Sequence, residues 1–357
     1  MSDKILIQVL PIYQDVPQHC SVIITFNNST SLYSISGVLG PGLTIQPLSA
    51  EQENTRPNTC TSCLGVAWHS IQSLNESDHG ESGYEDLTDD DENDTTSNST
   101  TPSDYEEVAH NYTMARHGRR SPSKVYPEVL VVVDYPFYKK FHYNRAATQQ
   151  YIISYFNAVN FCFNLLSDPG IELSIAGIVI SSSIHSLPYI TQGTISLDMV
   201  DAPSVLHAMG QFYYQDRPGL PVHDKVVTIM GKDLAARRNG RIDSTTLGGA
   251  CIRNKRLRKI NSVAIVEDSG GYFGVVTTAH EIGHLLGAVH DGDSAPSYLK
   301  GPGAKKCSWS QGFIMSDNRR TSKGLLWSSC SINQMRHFLK TKTASCLANY
   351  PRLVSII

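Results

Sequence analysis

The stretch that decides the fold reads His280-Glu281-Ile282-Gly283-His284-Leu285-Leu286-Gly287-Ala288-Val289-His290-Asp291. Because residues four apart share one face of an α-helix, His280 and His284 are expected to point two imidazoles at one metal ion, with Glu281 beside them. Gly287 is expected to adopt a positive φ, which lets the chain turn and bring in His290 as a third ligand. Three histidines leave the fourth position of a tetrahedral zinc site for water. The competing interpretation is a buried helix whose histidines are only hydrogen-bonded.

Length and composition set the broad class. The chain has 357 residues, of which 40% are hydrophobic, enough for a substantial core. No run of about 18 apolar residues occurs, so no membrane span is expected. Residues 1–10 lack the features of a signal peptide, and we therefore expect the sequence to start inside a longer precursor.

Charge divides the chain into two unlike parts. Residues 1–120 contain 17 acidic and 5 basic side chains, whereas residues 121–357 contain 16 acidic and 25 basic ones. This asymmetry fits either an acidic pro-segment held against a basic body or a solvated acidic linker. Nucleic-acid binding is the least favoured explanation, and no nucleic-acid partner is expected.

Cysteines and glycosylation sequons indicate the compartment. The eight cysteines, an even number that permits full pairing, are Cys20, Cys60, Cys63, Cys162, Cys251, Cys307, Cys330 and Cys346. The six N-x-S/T sequons begin at Asn27, Asn28, Asn75, Asn93, Asn98 and Asn111. Together they favour a secreted glycoprotein that passes through an oxidising compartment.

The N-terminal third is predicted to contain two unlike segments. Residues 20–47 alternate apolar and polar side chains, which predicts short strands in a small β-rich module covering residues 1–75. Residues 76–120 are acidic and rich in Ser, Thr and Asn, which predicts a flexible, glycosylated linker. It ends at Arg116, Arg119 and Arg120, a cluster that suits a furin-type processing protease; a chance basic patch is the alternative.

Residues 121–357 read as alternating strands and helices. An unbroken apolar strand is predicted at 126–134, and a helix follows at 144–166. The remaining predictions are strands at 171–180, 225–230 and 262–266 and a helix at 203–214. This order indicates an α/β layer arrangement.

At this point the chain resembles the reprolysins, or adamalysins, the branch of the metzincin zinc metalloproteases that includes venom, tick-salivary and ADAM-type enzymes. Asp291 directly after the third histidine is the mark of this branch. Met315, in Gly312-Phe313-Ile314-Met315-Ser316, stands where metzincins carry a methionine turn beneath the zinc. The resemblance implies a catalytic domain over residues 121–357, with a mixed twisted sheet and an active-site helix, preceded by a β-rich remnant of a pro-domain.

The resemblance also implies how four of the cysteines pair. Cys307 would bond to Cys330, and Cys251 to Cys346. Cys162 has no family partner and is expected to be a buried thiol. The pairing of Cys20 stays open.

Reprolysins often carry a structural calcium, and its ligands have counterparts here. They are the side chains of Glu128, Asp224 and Asn349 and the carbonyl of Cys346, an all-oxygen set that suits Ca²⁺. Lys225 follows one of these acids, so an ordinary surface ion pair is the alternative.

Latency in the family depends on a pro-domain cysteine that fills the open zinc position. Cys60 has the expected proline spacing without the following glycine, and Cys63 has a glycine one place late. Either cysteine could serve as the switch, while a disulfide or redox pair between the two is the competing interpretation.

The function that these features imply is zinc-dependent hydrolysis of peptide bonds, with Glu281 as general base and then general acid. Substrate is expected to lie against an edge strand containing residues 246–249. The expected substrates are matrix or blood proteins, as for a toxin, and the expected form is a monomeric zymogen inhibited by its own pro-segment. The rival is a latent or non-catalytic binding protein that uses a basic run also readable as a solvated loop, namely Arg253, Lys255, Arg256, Arg258 and Lys259.

Overall fold

The computed structural model describes six strands within the first 107 residues and then residues 123–164, 166–215, 217–235, 245–316, 323–349 and 355–356. Both candidate switch cysteines, Cys60 and Cys63, lie outside the described residues. So does the candidate processing site at Arg116, Arg119 and Arg120.

The described elements are numbered in chain order. The strands are β1 (Ile12–Asp15), β2 (Cys20–Asn27), β3 (Leu32–Leu39), β4 (Leu43–Pro47), β5 (His69–Ser73), β6 (Tyr105–Glu107), β7 (Lys124–Val125), β8 (Glu128–Val133), β9 (Gly170–Ile171), β10 (Ser174–Ile180), β11 (Met199–Asp201), β12 (Lys225–Met230), β13 (Asp233–Ala235), β14 (Ile252–Asn254), β15 (Lys259–Ile260), β16 (Val263–Glu267) and β17 (Ser355–Ile356). The α-helices are α1 (Tyr135–Lys140), α2 (Arg145–Phe163), α3 (Pro188–Gln192), α4 (Ala202–Tyr214), α5 (Val275–Leu285) and α6 (Ser329–Leu339). Two 3₁₀ helices cover Trp309–Gln311 and Lys342–Ala348. None of these helices is long and apolar enough to cross a membrane.

A parallel sheet lies at the centre of the C-terminal part. Its strand order is β16-β12-β8-β10-β17, and every pair is parallel. An antiparallel bridge between Thr245 and Ala264 adds the opposite direction at the β16 edge. The predicted α/β class with a mixed sheet is therefore confirmed.

Helices cover both faces of this sheet, which explains why β8 reads as an unbroken apolar run. All six residues of β8 are buried. Val129, Val131 and Val133 pack into one hydrophobic cluster with residues of α2 and α5. Leu130 and Val132 pack into a second cluster with α3 and α4. The period of two along a strand thus assigns alternate side chains to two cores.

The predicted strand over 171–180 is interrupted in the structure. β9 pairs with β7, and β10 pairs with β8, so residues 172 and 173 fall between two pairings. The neighbouring chain is interrupted at the same level by Pro127, which lacks an N–H group for the ladder. The N–H group of Leu173 instead donates to Asn160 Oδ1 of α2 (2.8 Å).

The N-terminal strands form a separate antiparallel sheet in the order β1-β2-β3-β4-β5. This sheet packs on α2, where Asn157 Nδ2 donates to Ser21 Oγ (2.5 Å) and Ser154 Oγ donates to the carbonyl of Ser36 (3.5 Å). Val38 of β3 belongs to the same hydrophobic cluster as Val129, Val131 and Val133 of β8. The β-rich N-terminal segment therefore contacts the C-terminal body directly.

One strand lies inside the segment that we predicted to be a flexible linker. β6 pairs antiparallel with β14, which itself pairs with β15. The sequence predicted neither β6 nor its partner, because a Tyr-Glu-Glu tripeptide has no apolar alternation. An acidic part of the linker is thereby joined to the basic run.

Two disulfides connect the C-terminal end of the chain to the body. Cys251 bonds to Cys346, and Cys307 bonds to Cys330, the pairs that the resemblance implied. Cys162 is a buried thiol whose pKa is raised to about 12 by burial. The first bridge encloses the longer stretch of chain, with a sequence separation of 95 residues.

Replacing both Cys251 and Cys346 by alanine should lower the free energy of unfolding by about 2–5 kcal/mol, since the denatured chain loses a long covalent loop. Urea unfolding with and without a reductant measures this. The control variant Cys162→Ala keeps both bridges and should retain the full sensitivity to reductant, whereas the double variant should keep only the part due to the Cys307–Cys330 bridge. Equal stability of the double variant and the parent chain would contradict the prediction.

Candidate metal centre and active site

Helix α5 carries the first two histidines and the glutamate of the deciding stretch. His280, Glu281 and His284 all lie within α5. The helix ends at Leu285, and Gly287 has φ = 92°, as predicted. A Cβ atom at Gly287 would lie 2.6 Å from Phe338 Cβ of α6, so both the backbone conformation and the packing require glycine.

Two backbone carbonyls fix the orientation of the first two imidazole rings. His280 Nδ1 lies 2.7 Å from the carbonyl oxygen of Ile314, and His284 Nδ1 lies 2.8 Å from that of Ala288. A carbonyl oxygen only accepts hydrogen bonds, so both Nδ1 atoms carry the proton. Each Nε2 atom is therefore left with a lone pair, as a metal ligand requires.

The three Nε2 atoms converge on one point. His290 Nε2 is 3.2 Å from His280 Nε2 and 3.2 Å from His284 Nε2. Nitrogens bound to one tetrahedral zinc ion at 2.0–2.1 Å would be about 3.3 Å apart. Three close acceptors that share at most one proton repel one another unless a cation lies between them. The donor set therefore fits zinc, and these histidines are the described residues that form such a cluster.

The methionine turn packs directly beneath the histidine helix. A Cβ atom at Gly283 would lie 3.2 Å from Met315 Sδ and 2.7 Å from Trp327 Cη2. Met315 is fully buried, and the N–H group of Asp291 donates to its carbonyl (3.0 Å). Gly283 thus lets the floor of the site approach the helix closely.

Asp291 links the third histidine to helix α6. Its Oδ1 atom accepts hydrogen bonds from Ser328 Oγ (2.6 Å) and Ser331 Oγ (3.3 Å). Trp327, one residue earlier, donates its indole N–H group to the carbonyl of Cys162 (2.7 Å). Sequence reasoning did not assign positioning roles to these side chains, although the stretch Trp327-Ser328-Ser329-Cys330 follows the methionine turn.

A buried polar network anchors the start of α5. Asp268 accepts hydrogen bonds from Tyr151 Oη and from the N–H group of Gly274 (3.2 Å). Tyr155 Oη lies 2.7 Å from Thr278 Oγ1, two residues before the first histidine. Burial raises the pKa of Asp268 to about 6. Helix α2 is thus joined to the histidine helix by side chains that the sequence analysis did not single out.

The predicted substrate strand differs from the structure. Residues 246–249 form a turn, because the N–H group of Gly248 donates to the carbonyl of His284 (2.7 Å) and that of Gly249 donates to Thr246 (3.1 Å). The N–H groups of Gly248 and Gly249 thus already donate to carbonyls within the chain. The prediction of a regular edge strand at this position is therefore wrong, and only Thr245 makes a strand-like bridge.

The residues expected to hold calcium do come together. The N–H group of Glu128 donates to Asp224 Oδ2 (2.9 Å), and Asn349 Nδ2 donates to Glu128 Oε2 (2.5 Å). Asn349 Oδ1 is buried without a hydrogen-bond partner among the described atoms. Burial raises the pKa of Asp224 to about 6. Cys346 lies in the 3₁₀ helix that ends just before Asn349. A buried oxygen cluster with an unsatisfied acceptor fits a cation such as Ca²⁺.

Lys225 is not a surface residue, as the alternative to calcium assumed. It is fully buried, and its Nζ atom has no hydrogen-bond partner in the described part of the chain. Burial lowers its pKa to about 8, against the nearby charge of Asp224. The surface ion pair is therefore wrong.

The chain is similar in sequence to known metalloproteinases. The chain is 45% identical over 250 residues to a protein from Bombyx mori described as "A disintegrin and metalloproteinase with thrombospondin motifs like", covering 68% of this chain and 35% of that protein. It is 30% identical over 226 residues to venom metalloproteinase 3 of Eulophus pennicornis, covering 62% of this chain and 52% of the relative. The chain thus spans about a third to a half of these relatives. Metalloproteinase-II from Bacteroides fragilis overlaps 90% of this chain and 79% of its own, with a TM-score of 0.43 and 13% identity.

A family-level comparison covers most of the C-terminal part. Residues 125–351 match the sequence model described as "Reprolysin (M12B) family zinc metalloprotease". This match spans more than half of the chain and includes the three converging histidines, Glu281 and Met315. The chain belongs to the reprolysin family of zinc metalloproteases.

Proposed function

We propose that this protein is a secreted zinc endopeptidase, made as a zymogen, that hydrolyses peptide bonds of extracellular proteins of matrix or blood. The observation that carries the proposal is the convergence of three imidazole Nε2 atoms, with Glu281 next to His280 on the same helix. Family membership supports it.

His280, His284 and His290 would hold the zinc ion, and the carbonyls of Ile314 and Ala288 keep the first two rings aligned. Bound there, zinc supplies a Lewis acid that polarises the scissile carbonyl and lowers the pKa of water. Glu281, buried with 8% of its surface exposed, takes the proton from the attacking water. It then delivers that proton to the leaving amine, so that the carboxylate is restored at the end of each turnover.

Secretion and latency rest on separate features. Two disulfides in the body suit an oxidising compartment, and one of the relatives is named for venom. The β-rich N-terminal sheet packs on α2, consistent with a pro-segment held against the body. Either Cys60 or Cys63 would supply the thiolate for latency, and cutting at Arg116, Arg119 or Arg120 would end it.

The second metal that we propose is a structural Ca²⁺ ion held by Glu128, Asp224 and Asn349 with the carbonyl of Cys346. The support is the unsatisfied Asn349 Oδ1 atom beside two buried carboxylates. Rotation of the Asn349 amide by 180° would exchange its nitrogen and oxygen, so that the oxygen faces the cation.

Replacing Glu281 by alanine should leave fold and zinc content intact and lower kcat for a peptide substrate by about 10²–10⁴-fold, since only the proton carrier is removed. Peptide hydrolysis by the chain cut after Arg120, together with metal analysis, measures both quantities. The control is Glu172→Ala, which removes a glutamate paired with Lys124 at the surface. Comparable cleavage by parent and Glu281→Ala would contradict the role of Glu281, whereas absence of cleavage by the parent itself would favour the rival function, a non-catalytic binding protein.

Removal of zinc should silence the enzyme, and His290→Ala should weaken zinc binding by more than about 100-fold, because two histidines cannot close the site. Zinc per chain after dialysis against a weak chelator is the measurement. His207→Ala, a histidine on α4, is the matched control and should keep its zinc. Retention of zinc by the His290 variant would contradict the assignment.

Calcium should raise the stability of the parent chain by about 2.7 kcal/mol at a concentration one hundred times its dissociation constant. Asn349→Ala should abolish most of this gain, as followed by thermal unfolding with calcium or with a calcium-selective chelator. The matched control is Asn333→Ala, which removes an exposed amide whose oxygen accepts from Arg336. An equal calcium response in both variants would exclude Asn349 as a ligand.

A further inference from the structure

The basic run of the sequence forms a small hairpin, and the outer edge of its strand β14 pairs with β6. β14 and β15 are antiparallel, and the turn between them exposes Lys255, Arg256 and Arg258. β6 lies against the other edge of β14 with Ile252 opposite Glu107, Arg253 opposite Glu106 and Asn254 opposite Tyr105. The hairpin is thus the middle and outer part of a three-stranded sheet.

Backbone geometry identifies the central pair of this contact. The carbonyl of Ile252 accepts from the N–H group of Asn261 and therefore points toward β15. Because successive carbonyls along a strand point to opposite sides, the polar backbone groups of Arg253 point toward β6. Arg253 and Glu106 are then the pair that exchanges backbone hydrogen bonds, whereas the N–H group of Glu107 points away.

Charge favours the same arrangement. The backbone register places an acidic residue, Glu106, directly opposite a basic one, Arg253. Arg253 is held in place on its own side, since its guanidinium donates to the carbonyl of Tyr214 (2.5 Å) and lies over the Tyr214 ring (4.1 Å). Residues 76–107 contain 13 acidic side chains and no lysine or arginine, whereas residues 253–259 contain five basic ones.

The hairpin is also close in the chain to the metal centre. Cys251 directly precedes β14, and the N–H group of Ala250 donates to the carbonyl of Leu285 at the end of the histidine helix (3.2 Å). A strand that pairs with β14, as β6 does, is therefore attached to the same segment of chain that contacts the end of α5 through Ala250.

We propose that the β14 edge of this basic hairpin is a docking site for the chain's own acidic pro-segment. Tyr105–Glu107 adds as a third strand, and this contact keeps the pro-segment attached after the backbone is cut at the Arg116 to Arg120 cluster. The proposal rests on the zymogen part of the proposed function and adds a retention site distinct from the metal. Cutting alone does not free the C-terminal part, and release requires that the strand detach.

Amide hydrogen exchange of the full chain tests this without reference to catalysis. All chains carry Glu281→Ala, so that no self-digestion occurs, and exchange at residues 252–254 is followed before and after cutting by a dibasic-specific protease. We expect slow exchange at Arg253 in both states. Glu106→Pro, which removes the donor facing β14, should speed exchange there about tenfold or more. Glu107→Pro, the matched control, should not, since its N–H group faces away.

A second variant covers the case in which proline disturbs folding. Glu106→Lys keeps the backbone donor and places two positive charges opposite each other, and it should speed exchange at Arg253 more than Glu107→Lys does. Raising salt from about 0.05 to about 0.5 M should reduce this difference.

Three results would overturn the proposal. Equally fast exchange at Arg253 in the parent and the Glu106 variants would show that β6 does not protect β14. Protection present before cutting and lost after it would show that the contact does not retain the pro-segment. Protection that grows with protein concentration would assign the strand to a second copy. None of these results depends on peptide hydrolysis, so the enzymatic proposal stands or falls separately.

Discussion

The orientation of two imidazole rings is the constraint on which the rest of the site depends. His280 and His284 each donate from Nδ1 to a backbone carbonyl, and only this tautomer leaves a lone pair on both Nε2 atoms, which lie close to that of His290. The carbonyls belong to Ile314, beside the methionine turn, and to Ala288, just past the helix end. The ligands are therefore aligned by chain segments that are themselves held by packing.

That packing explains the two glycines of the deciding stretch. Gly283 admits Trp327 and Met315 against the helix, and Gly287 admits Phe338 at the turn. Each close approach packs large side chains against the histidine helix or against the turn that follows it. The buried network of Asp268, Tyr151 and Gly274 holds the start of α5 in place through hydrogen bonds instead of apolar contacts.

Much of the site could be predicted because its spacing is local. The three histidines, Glu281 and Gly287 lie within 12 residues, and a single helix with a turn brings them together. The carbonyls of Ile314 and Ala288 could not be predicted, since every residue carries one. The burial of Lys225 was missed because a lysine at the start of an apolar strand looks like a surface residue. The pairing of β6 with β14 joins residues far apart in sequence, and three residues provide too little pattern to reveal it.

The contact between Gly287 and Phe338 bears on how the chain can be divided. The third histidine reaches its place only through a turn that Phe338 of α6 fills from the other side, and Asp291 is bonded to Ser328 just before that helix. All three ligands are already present in sequence at His290, yet the elements that set their geometry continue to Leu339. A fragment ending shortly after His290 would contain every ligand and still lack the site, so the metal centre is a property of the folded C-terminal part as a whole.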